Sequence, residues 1–447
     1  MTARKMKDSG IEWIGEIPSE WGTIKVKYTS WLKGRIGWDG LTSNEYIEDG
    51  PYLITGVNFK NGKIDWNSCV HISQERFDED ADIHIKENDL LITKDGTIGK
   101  VAIAEDCPEC VSLNSGVLLI RNNCDFKYFA KYFYYVLLSD VFWRWYTLSQ
   151  TGQSTIKHLY QEQFSNFEFS YPPLPEQRRI ADYLDRKCAE IDRVVAETEK
   201  TIEEYKVLKQ SIITEAVTKG VRGKRKMKDS GIEWIGEIPE EWGTSRVKNL
   251  ADPEQAASFI DGDWIESPDI SSEGIRYLTT GNVGDGQFKR QGNGFITEET
   301  FLRLNCKYAY PGDLVIARLN APYGRACILP DDFDKYVLAV DIVILRTKMC
   351  KPYLCYQMQC EGYQRAVEDE AKGATMKRIS RTHLGKVPIL LPPLPEQREI
   401  ADYLDAKCAE IDRLVAAKQN LLAELATYKK SVIYEYVTGK KEVPECL

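Results

Sequence analysis

PPLPEQRRIADYLDRKCAEIDRVV, Pro172 to Val195, returns 220 positions later as PPLPEQREIADYLDAKCAEIDRLV from Pro392, identical at 21 of 24 positions. Proline suits a first helical turn, where its missing N–H costs nothing, and Glu176 and Glu396 complement the positive end of the helix dipole. Each string therefore opens a helix, predicted to run for about 45 residues. In the first copy Ile180, Leu184, Ile191, Val195, Ile202, Tyr205, Leu208 and Ile212 recur at steps of three, four or seven. In the second, Ile400, Leu404, Ile411, Val415, Leu422, Leu425, Tyr428 and Val432 do the same. One apolar stripe on a charged helix suits pairing with another helix, and a helix of this length spans roughly 65 Å at about 1.5 Å per residue. Twelve turns would overhang a domain of ordinary size, so the two stripes are expected to cover one another. The pairing residues are Leu184, Ile191, Ile202 and Leu208 against Leu404, Ile411, Leu422 and Leu425.

Upstream of each helix lies a second repeat. MKDSGIEWIGEIPSEWGTIKVK, Met6 to Lys27, recurs at an offset of 221 as MKDSGIEWIGEIPEEWGTSRVK, Met227 to Lys248, identical at 19 of 22 positions. Between these ends lie inserts of 144 residues (Tyr28 to Tyr171) and 143 residues (Asn249 to Leu391) that resist alignment. The chain reads as a tandem duplication whose frame is retained and whose contents diverge: an opening segment 1–27, an insert domain 28–171, a helix 172–220, a basic linker with the repeated opening 221–248, a second insert domain 249–391, and a helix with its tail 392–447. Divergence confined to the middle is what two inserts with different recognition tasks would show; neutral drift of surface loops is the competing account.

Within the inserts, apolar runs alternate with turns. YLITG, NDLLITKDGTIGKVAI and SGVLLIRN read as strands, followed by a helical segment from Phe126 to Leu148. YLTTG, GDLVIARLNAPYGRACIL and VDIVILRTK repeat that order, with a helix from Lys351 to Ala371. A polar loop (TGQSTIKHL or KGATMKRISRTH) and a last strand lead back into PPLPEQ. The fold class is α+β, two α/β domains on long helices.

At 447 residues the chain exceeds one core. No apolar run is long enough to span a bilayer, and MTARKMKDSG lacks the apolar stretch of a secretory signal, so a cytoplasmic location is expected. Twelve irregularly spaced cysteines read as reduced thiols. Cys107 and Cys110 form the lone C-x-x-C pair, and without a second pair they make no zinc site. The net charge of −9 weighs against a strongly cationic nucleic-acid binder, although one basic groove is compatible with it.

Catalytic signatures are missing from the sequence. GTIGK at Gly96 lacks the glycine spacing of a phosphate loop, and His71, His84, His158 and His383 form no metal or nucleophile–base cluster. Asn320 to Tyr323, NAPY, resembles the N-P-P-Y loop of adenine methyltransferases, but the first insert has DGTIG there and no methyl-donor signature precedes either copy.

The duplicated frame, the PPLPEQ-led helices and the MKDSGIEWIGEIPEEW opening together resemble the specificity subunits of Type I restriction-modification enzymes over the full length. The resemblance implies two target-recognition domains joined by two long antiparallel coiled-coil helices in a pseudo-two-fold repeat. Each domain would read one half of a bipartite double-stranded DNA site, with the helices setting the spacer and docking two methylation subunits. It implies further that this chain binds no cofactor. S-adenosylmethionine would reside in the methylation subunits, which flip the target adenine, and restriction subunits would use ATP and Mg for translocation and cleavage. The alternatives are a self-contained adenine methyltransferase and a coiled-coil scaffold that does not touch DNA.

The inserts carry no family motif, so contact residues follow from residue type: Arg, Lys, Asn and Gln on projecting loops. The hairpin turn offers Lys94, Thr97 and Lys100, or Arg318, Asn320 and Arg325. The loop before the last strand offers Gln153, Thr155, Lys157 and His158, or Lys372, Lys377, Arg378 and Arg381. A third region carries Asn58 and Lys60, or Lys289, Arg290 and Gln291. The basic junction Lys219 to Lys228 reads as a phosphate contact or a plain linker. Phe133, Tyr134, Tyr135, Phe142, Trp143, Trp145 and Tyr146 have the spacing of a core stripe rather than a stacking platform.

Overall fold

The PPLPEQ string is a joint as well as a helix start. In the computed structural model, which describes residues 4–35, 41–123, 128–150, 157–371 and 377–444, the long helices span Leu174–Lys219 and Leu394–Val437. The glutamine of the string is buried in both copies. Gln177 donates to the Pro172 carbonyl at 2.8 Å and accepts the Phe129 N–H at 2.9 Å, and Gln397 treats Pro392 and Cys350 alike at the same distances. Phe129 and Cys350 are the N-caps of the helices that precede.

The glutamate of the string meets the repeated opening. Trp21 Nε1 donates to Glu176 at 2.9 Å, and Arg4 lies 2.7 Å from the same carboxylate while covering the Trp21 ring. In the second copy Trp242 Nε1 donates to Glu396 at 3.0 Å and Arg225 sits at 2.6 Å. The dipole role expected of these glutamates is thus joined by a specific one, in which an acceptor, buried at Glu396 and half-buried at Glu176, fixes the opening segment to the helix start.

The chain divides into two units, Met1–Thr198 with Asn420–Leu447, and Glu199–Gln419. In the first, a six-stranded sheet is ordered Ser30–Lys33, Val117–Asn122, Leu90–Thr93, Val101–Ile103, Lys63–Ile64, Phe59–Lys60. A three-stranded sheet sets Ile47–Ile54 between Val111–Leu113, parallel, and Val70–His71, antiparallel. The second unit repeats the plan: Phe259–Asp261, Ile342–Leu345, Leu314–Ala317, Ala326–Ile328 in one sheet, and Ile275–Leu278 between Tyr336–Leu338, parallel, and Phe295–Ile296, antiparallel, in the other. Inserts that resist alignment therefore share four strands of the larger sheet and all three of the smaller, the first unit adding Lys63–Ile64 and Phe59–Lys60 at one edge.

The single helix expected near the end of each insert is two. Ala130–Leu138 and Asp140–Ser149 are separated at Ser139, whose hydroxyl accepts the Val141 N–H at 3.2 Å and starts the second helix. Lys351–Gln359 and Glu361–Asp369 break at Cys360, which is extended at ψ 141°. The aromatics of the first pair form a core, with Phe133 4.5 Å from Phe169 and Trp145 4.9 Å from Phe167.

Each unit pairs the start of one long helix with the end of the other. In the first unit Asp192 meets Lys429 and Tyr183 meets Tyr436, so residue numbers rise along one helix as they fall along its antiparallel partner. In the second, Lys209 meets Asp412 and Arg222 meets Glu399 in the same sense. Leu184 and Leu404 are buried in the unit cores, Ile191, Ile411 and Ile202 are buried, and Leu422 and Leu425 are half-buried. Leu208 is 46% exposed and is not a pairing residue. The seam steps from Tyr205 to Lys209, four residues rather than three, because Lys209 reaches Asp412 at 2.7 Å. Leu208→Ala is therefore expected to change stability by less than about 0.5 kcal/mol, whereas Ile202→Ala costs roughly 2–3 kcal/mol. Urea unfolding of both variants checks this; equal losses would restore Leu208 to the seam.

Three cations of the basic junction of residues 219–228 are ion-paired within their own unit. Arg222 pairs with Glu399 at 2.8 Å, Arg225 with Glu396 and Glu241, and Lys226 with Glu240 at 3.4 Å.

Candidate nucleic-acid interface

In each insert three loops converge on one hairpin. The hairpin joins Leu90–Thr93 to Val101–Ile103 in the first unit and Leu314–Ala317 to Ala326–Ile328 in the second. Its strands are buried on both faces apart from Ile328 at one end, so the flanking cations Arg318 and Arg325 follow the backbone inward, Lys94 does so in part, and Lys100 stays exposed. Both tips close on a glycine with positive φ, Gly99 at 81° and Gly324 at 75°. A Cβ at Gly99 would lie 2.5 Å from the Trp143 ring, and one at Gly324 would lie 3.0 Å from Val367, so only glycine lets the hairpin rest on the helix pair.

The loop before the last strand lies beside the hairpin. The Leu159 N–H donates to the Lys94 carbonyl at 3.0 Å, and the Ile379 N–H to the Arg318 carbonyl at 3.1 Å. His158 Nδ1 meets Asp95 at the first tip, and Leu319 and Arg378 form an antiparallel bridge at the second. On the other flank stands a T-x-x-N turn, Thr55 to Asn58 or Thr279 to Asn282. Asn58 Oδ1 accepts the Thr55 N–H at 2.7 Å, and Asn282 Oδ1 accepts the Thr279 N–H at 2.9 Å.

These positions sort the sequence candidates. Thr97, Lys157, Asn320, Lys377 and Arg378 are exposed on the converging loops, with Arg378 3.5 Å from Asp341. His158 is half-buried beside Asp95. Arg381 leans on Asp261 at 3.5 Å and donates to the Phe259 carbonyl at 3.3 Å. Lys60 pairs with Asp65, and Arg290 forms a fork with Asp332 at 2.8 and 3.0 Å. Lys289 and Gln291 are exposed, with Gln291 Nε2 donating to the Gly281 carbonyl. Gln153, Thr155 and Lys372 lie outside the described residues.

Four candidates are corrected. Arg318 is 4% exposed; it donates to the Ile379 and Val340 carbonyls at 3.1 and 2.6 Å and lies 3.1 Å from Asp261. Arg325 is 7% exposed with its donors on backbone carbonyls. Asn58 is buried in its turn, where its amide also donates to the Ser68 carbonyl at 2.7 Å. Lys94 is half-buried and aimed at the Arg35 carbonyl, 3.5 Å away, and burial lowers its pKa from the ordinary lysine value. Buried donors already satisfied by protein acceptors are not available to base edges. Lys100 is intermediate in kind: exposed, yet donating to the Gly56 carbonyl at 3.3 Å.

Sequence reasoning missed a brace below the hairpin. Arg121 grips Asp89, with Nε at 2.8 Å, and Arg346 grips Asp313 at 2.9–3.2 Å. Each aspartate also accepts a backbone N–H, from Lys86 at 2.7 Å and from Tyr310 at 3.0 Å. The signal was present, since Asp89 and Asp313 hold equivalent places before the hairpin strands. Among the described residues no group of three or more potential ligands could hold a metal, and no helix is long and apolar enough to cross a membrane.

Each unit carries the same Asp–Arg brace and presents different side chains at its loop tips. Residues 40–204 and 239–424 match the family described as the Type I restriction modification DNA specificity domain, and the chain belongs to that family. It is 25% identical over 451 residues to the Type I restriction enzyme MjaVIII specificity subunit of Methanocaldococcus jannaschii, across 96% of this chain and 94% of the relative. It is 28% identical over 443 residues to the putative MjaX specificity subunit of the same organism, covering 96% of both. The EcoKI specificity subunit of Escherichia coli is 22% identical over 95% of this chain and 90% of its own length. The fold is similar to that of the HsdS subunit from Thermoanaerobacter tengcongensis, with a TM-score of 0.54 at 19% identity over 95% of this chain and 98% of that one. A chain from a structure described as "Structural basis underlying complex assembly and conformational transition of the type I R-M system" gives 0.73 at 19% identity over 95% and 99%. Neither the self-contained methyltransferase nor the bare scaffold is favoured by these likenesses.

Proposed function

We propose that this chain, as the specificity subunit of a Type I system, reads a bipartite DNA site with one half-site per insert domain and performs no chemistry itself. The observation that carries the reading is the contrast at the tips. The frame around them repeats the Asp–Arg brace, the T-x-x-N turn and the backbone bond from the neighbouring loop, while the chemistry at the tips is exposed Thr97 and Lys157 with half-buried His158 in one domain and exposed Asn320, Lys377 and Arg378 in the other. Asparagine suits adenine and arginine suits guanine in the major groove, so unlike tips specify unlike half-sites. In the assembly we envisage, two methylation subunits supply S-adenosylmethionine and adenine flipping, and restriction subunits supply ATP- and Mg-dependent translocation and cleavage, in the cytoplasm.

Exchanging Tyr28 to Tyr171 for the corresponding domain of a relative with a different target is the direct test. Methylome sequencing of cells carrying the hybrid should show one half-site replaced and the other retained. Loss or alteration of both halves would refute one-domain, one-half-site reading.

A further inference from the structure

Closing the hairpin tip is handled differently in the two domains. In the first, the side chain of Thr93 closes it: the hydroxyl donates to the Thr97 carbonyl at 2.6 Å and accepts the Lys100 N–H at 2.9 Å. Lys100 then ties the hairpin to the T-x-x-N turn through the Gly56 carbonyl at 3.3 Å. In the second domain the position of Thr93 is Ala317, which has no hydroxyl, and the position of Lys100 is Arg325.

Arg325 performs both tasks. Nε and Nη2 donate to the Val283 and Thr280 carbonyls at 2.6 and 2.8 Å, which reproduces the tie to the turn. Nη1 faces the carbonyls of Leu319 at 3.4 Å, Pro322 at 3.1 Å and Asn320, which fastens the tip itself. Threonine with lysine in one domain has become alanine with arginine in the other, and the planar fork of arginine takes over donation to the tip carbonyls, while the bond that the Thr93 hydroxyl accepts has no counterpart in a guanidinium, which only donates. Asn320 stands at φ 63°, a left-handed conformation that asparagine tolerates and that needs external support to persist.

The geometry assigns Arg325 as a positioning residue for specificity: it touches no base and holds Asn320 to Tyr323 where they are read. This rests on the proposal that the second domain reads DNA. A reading group must be held within about 0.5 Å to discriminate, so loosening the tip lowers specificity at one half-site without abolishing assembly.

The test uses the full chain reconstituted with its methylation subunits. Methyl transfer from labelled donor is measured on the cognate duplex and on duplexes with one base pair changed in either half-site. Arg325→Ala should lower the cognate-to-variant ratio of kcat/KM roughly tenfold, the scale of one base-pair mismatch, at the half-site of the second domain alone. Arg325→Lys should recover part of it, and Arg325→Lys with Ala317→Thr, which rebuilds the closure of the first domain, should recover more. An unchanged ratio, or an equal fall at both half-sites, overturns the assignment. If the alanine variant fails to assemble, Arg325→Gln is read by the same criteria. Exchange of Asn249 to Leu391 separates the premises: if it moves neither half-site, DNA reading by this domain fails, and if it moves one while Arg325 variants discriminate normally, only the positioning role falls.

Discussion

Glu396→Ala is expected to lower the stability of the Glu199–Gln419 unit by about 3–5 kcal/mol, the usual effect of removing one member of a buried ion pair. Glu396 is 1% exposed, accepts the Trp242 indole N–H at 3.0 Å and neutralises Arg225 at 2.6 Å, so truncation strands a buried donor and a cation together. The opening segment Met227 to Lys248 should loosen first. Hydrogen exchange at the Trp242 amide, which bonds the Pro239 carbonyl, is expected to accelerate by at least two orders of magnitude. The matching change Glu176→Ala should cost less, about 1.5–3 kcal/mol, because the side chains of Glu176 and Arg4 are 14% and 18% exposed. Equal exchange rates in wild type and Glu396→Ala would show that the carboxylate does not anchor the segment.

The brace beneath the second hairpin is expected to behave as a unit. The side chains of Asp313 and Arg346 are 9% and 12% exposed, and Arg346 also donates to the Tyr308 and Ala256 carbonyls at 2.9 and 2.8 Å. Arg346→Ala should cost about 3–5 kcal/mol, since it leaves a carboxylate without its counter-charge. Asp313→Ala should be comparable, and the double variant should fall short of their sum by about 2–3 kcal/mol. Urea unfolding of the four proteins gives the coupling directly; additive losses would mean that each residue acts through separate contacts.

Much of this frame was legible in the sequence because it is written twice at long identical stretches. The helix starts at PPLPEQ, the succession of the main strands along each insert and the aromatic core all follow from spacing and composition, whereas the order of strands within the sheets does not. The braces were not, because they are pairs rather than strings. Thr55 and Asn58 stand 224 positions from Thr279 and Asn282, and Arg121 stands 225 from Arg346, whereas the visible repeats sit at 220 and 221. A few inserted residues hide such pairs from a search at one offset. Arg318 and Arg325 were misjudged for a different reason. A cation beside a turn reads as solvated, yet here the adjoining strands are buried on both faces and the side chains find carbonyls within the domain. The helix break was readable at Ser139–Asp140, a strong N-cap pair, and was not at Cys360–Glu361, where no side-chain bond marks it. Leu208 failed because a three-residue step and a four-residue step are equally good helical spacings, and the choice lay with a lysine.

The end of the second long helix completes a unit begun far upstream, whereas the end of the first opens the unit that follows it. The Val437 carbonyl lies 3.0 Å from the Tyr132 hydroxyl and also accepts from Ser170, and the Val217 carbonyl is met by Tyr353 at 3.4 Å. The Glu199–Gln419 unit is continuous in sequence, but the other draws on Asn420–Leu447, which follow that unit along the chain. Translation therefore begins the discontinuous unit before the continuous one and completes it after. During translation its Ile433 and Val437 sites stand open while the later domain is made, and a nascent chain halted before Asn420 leaves that surface bare to chaperones and proteases.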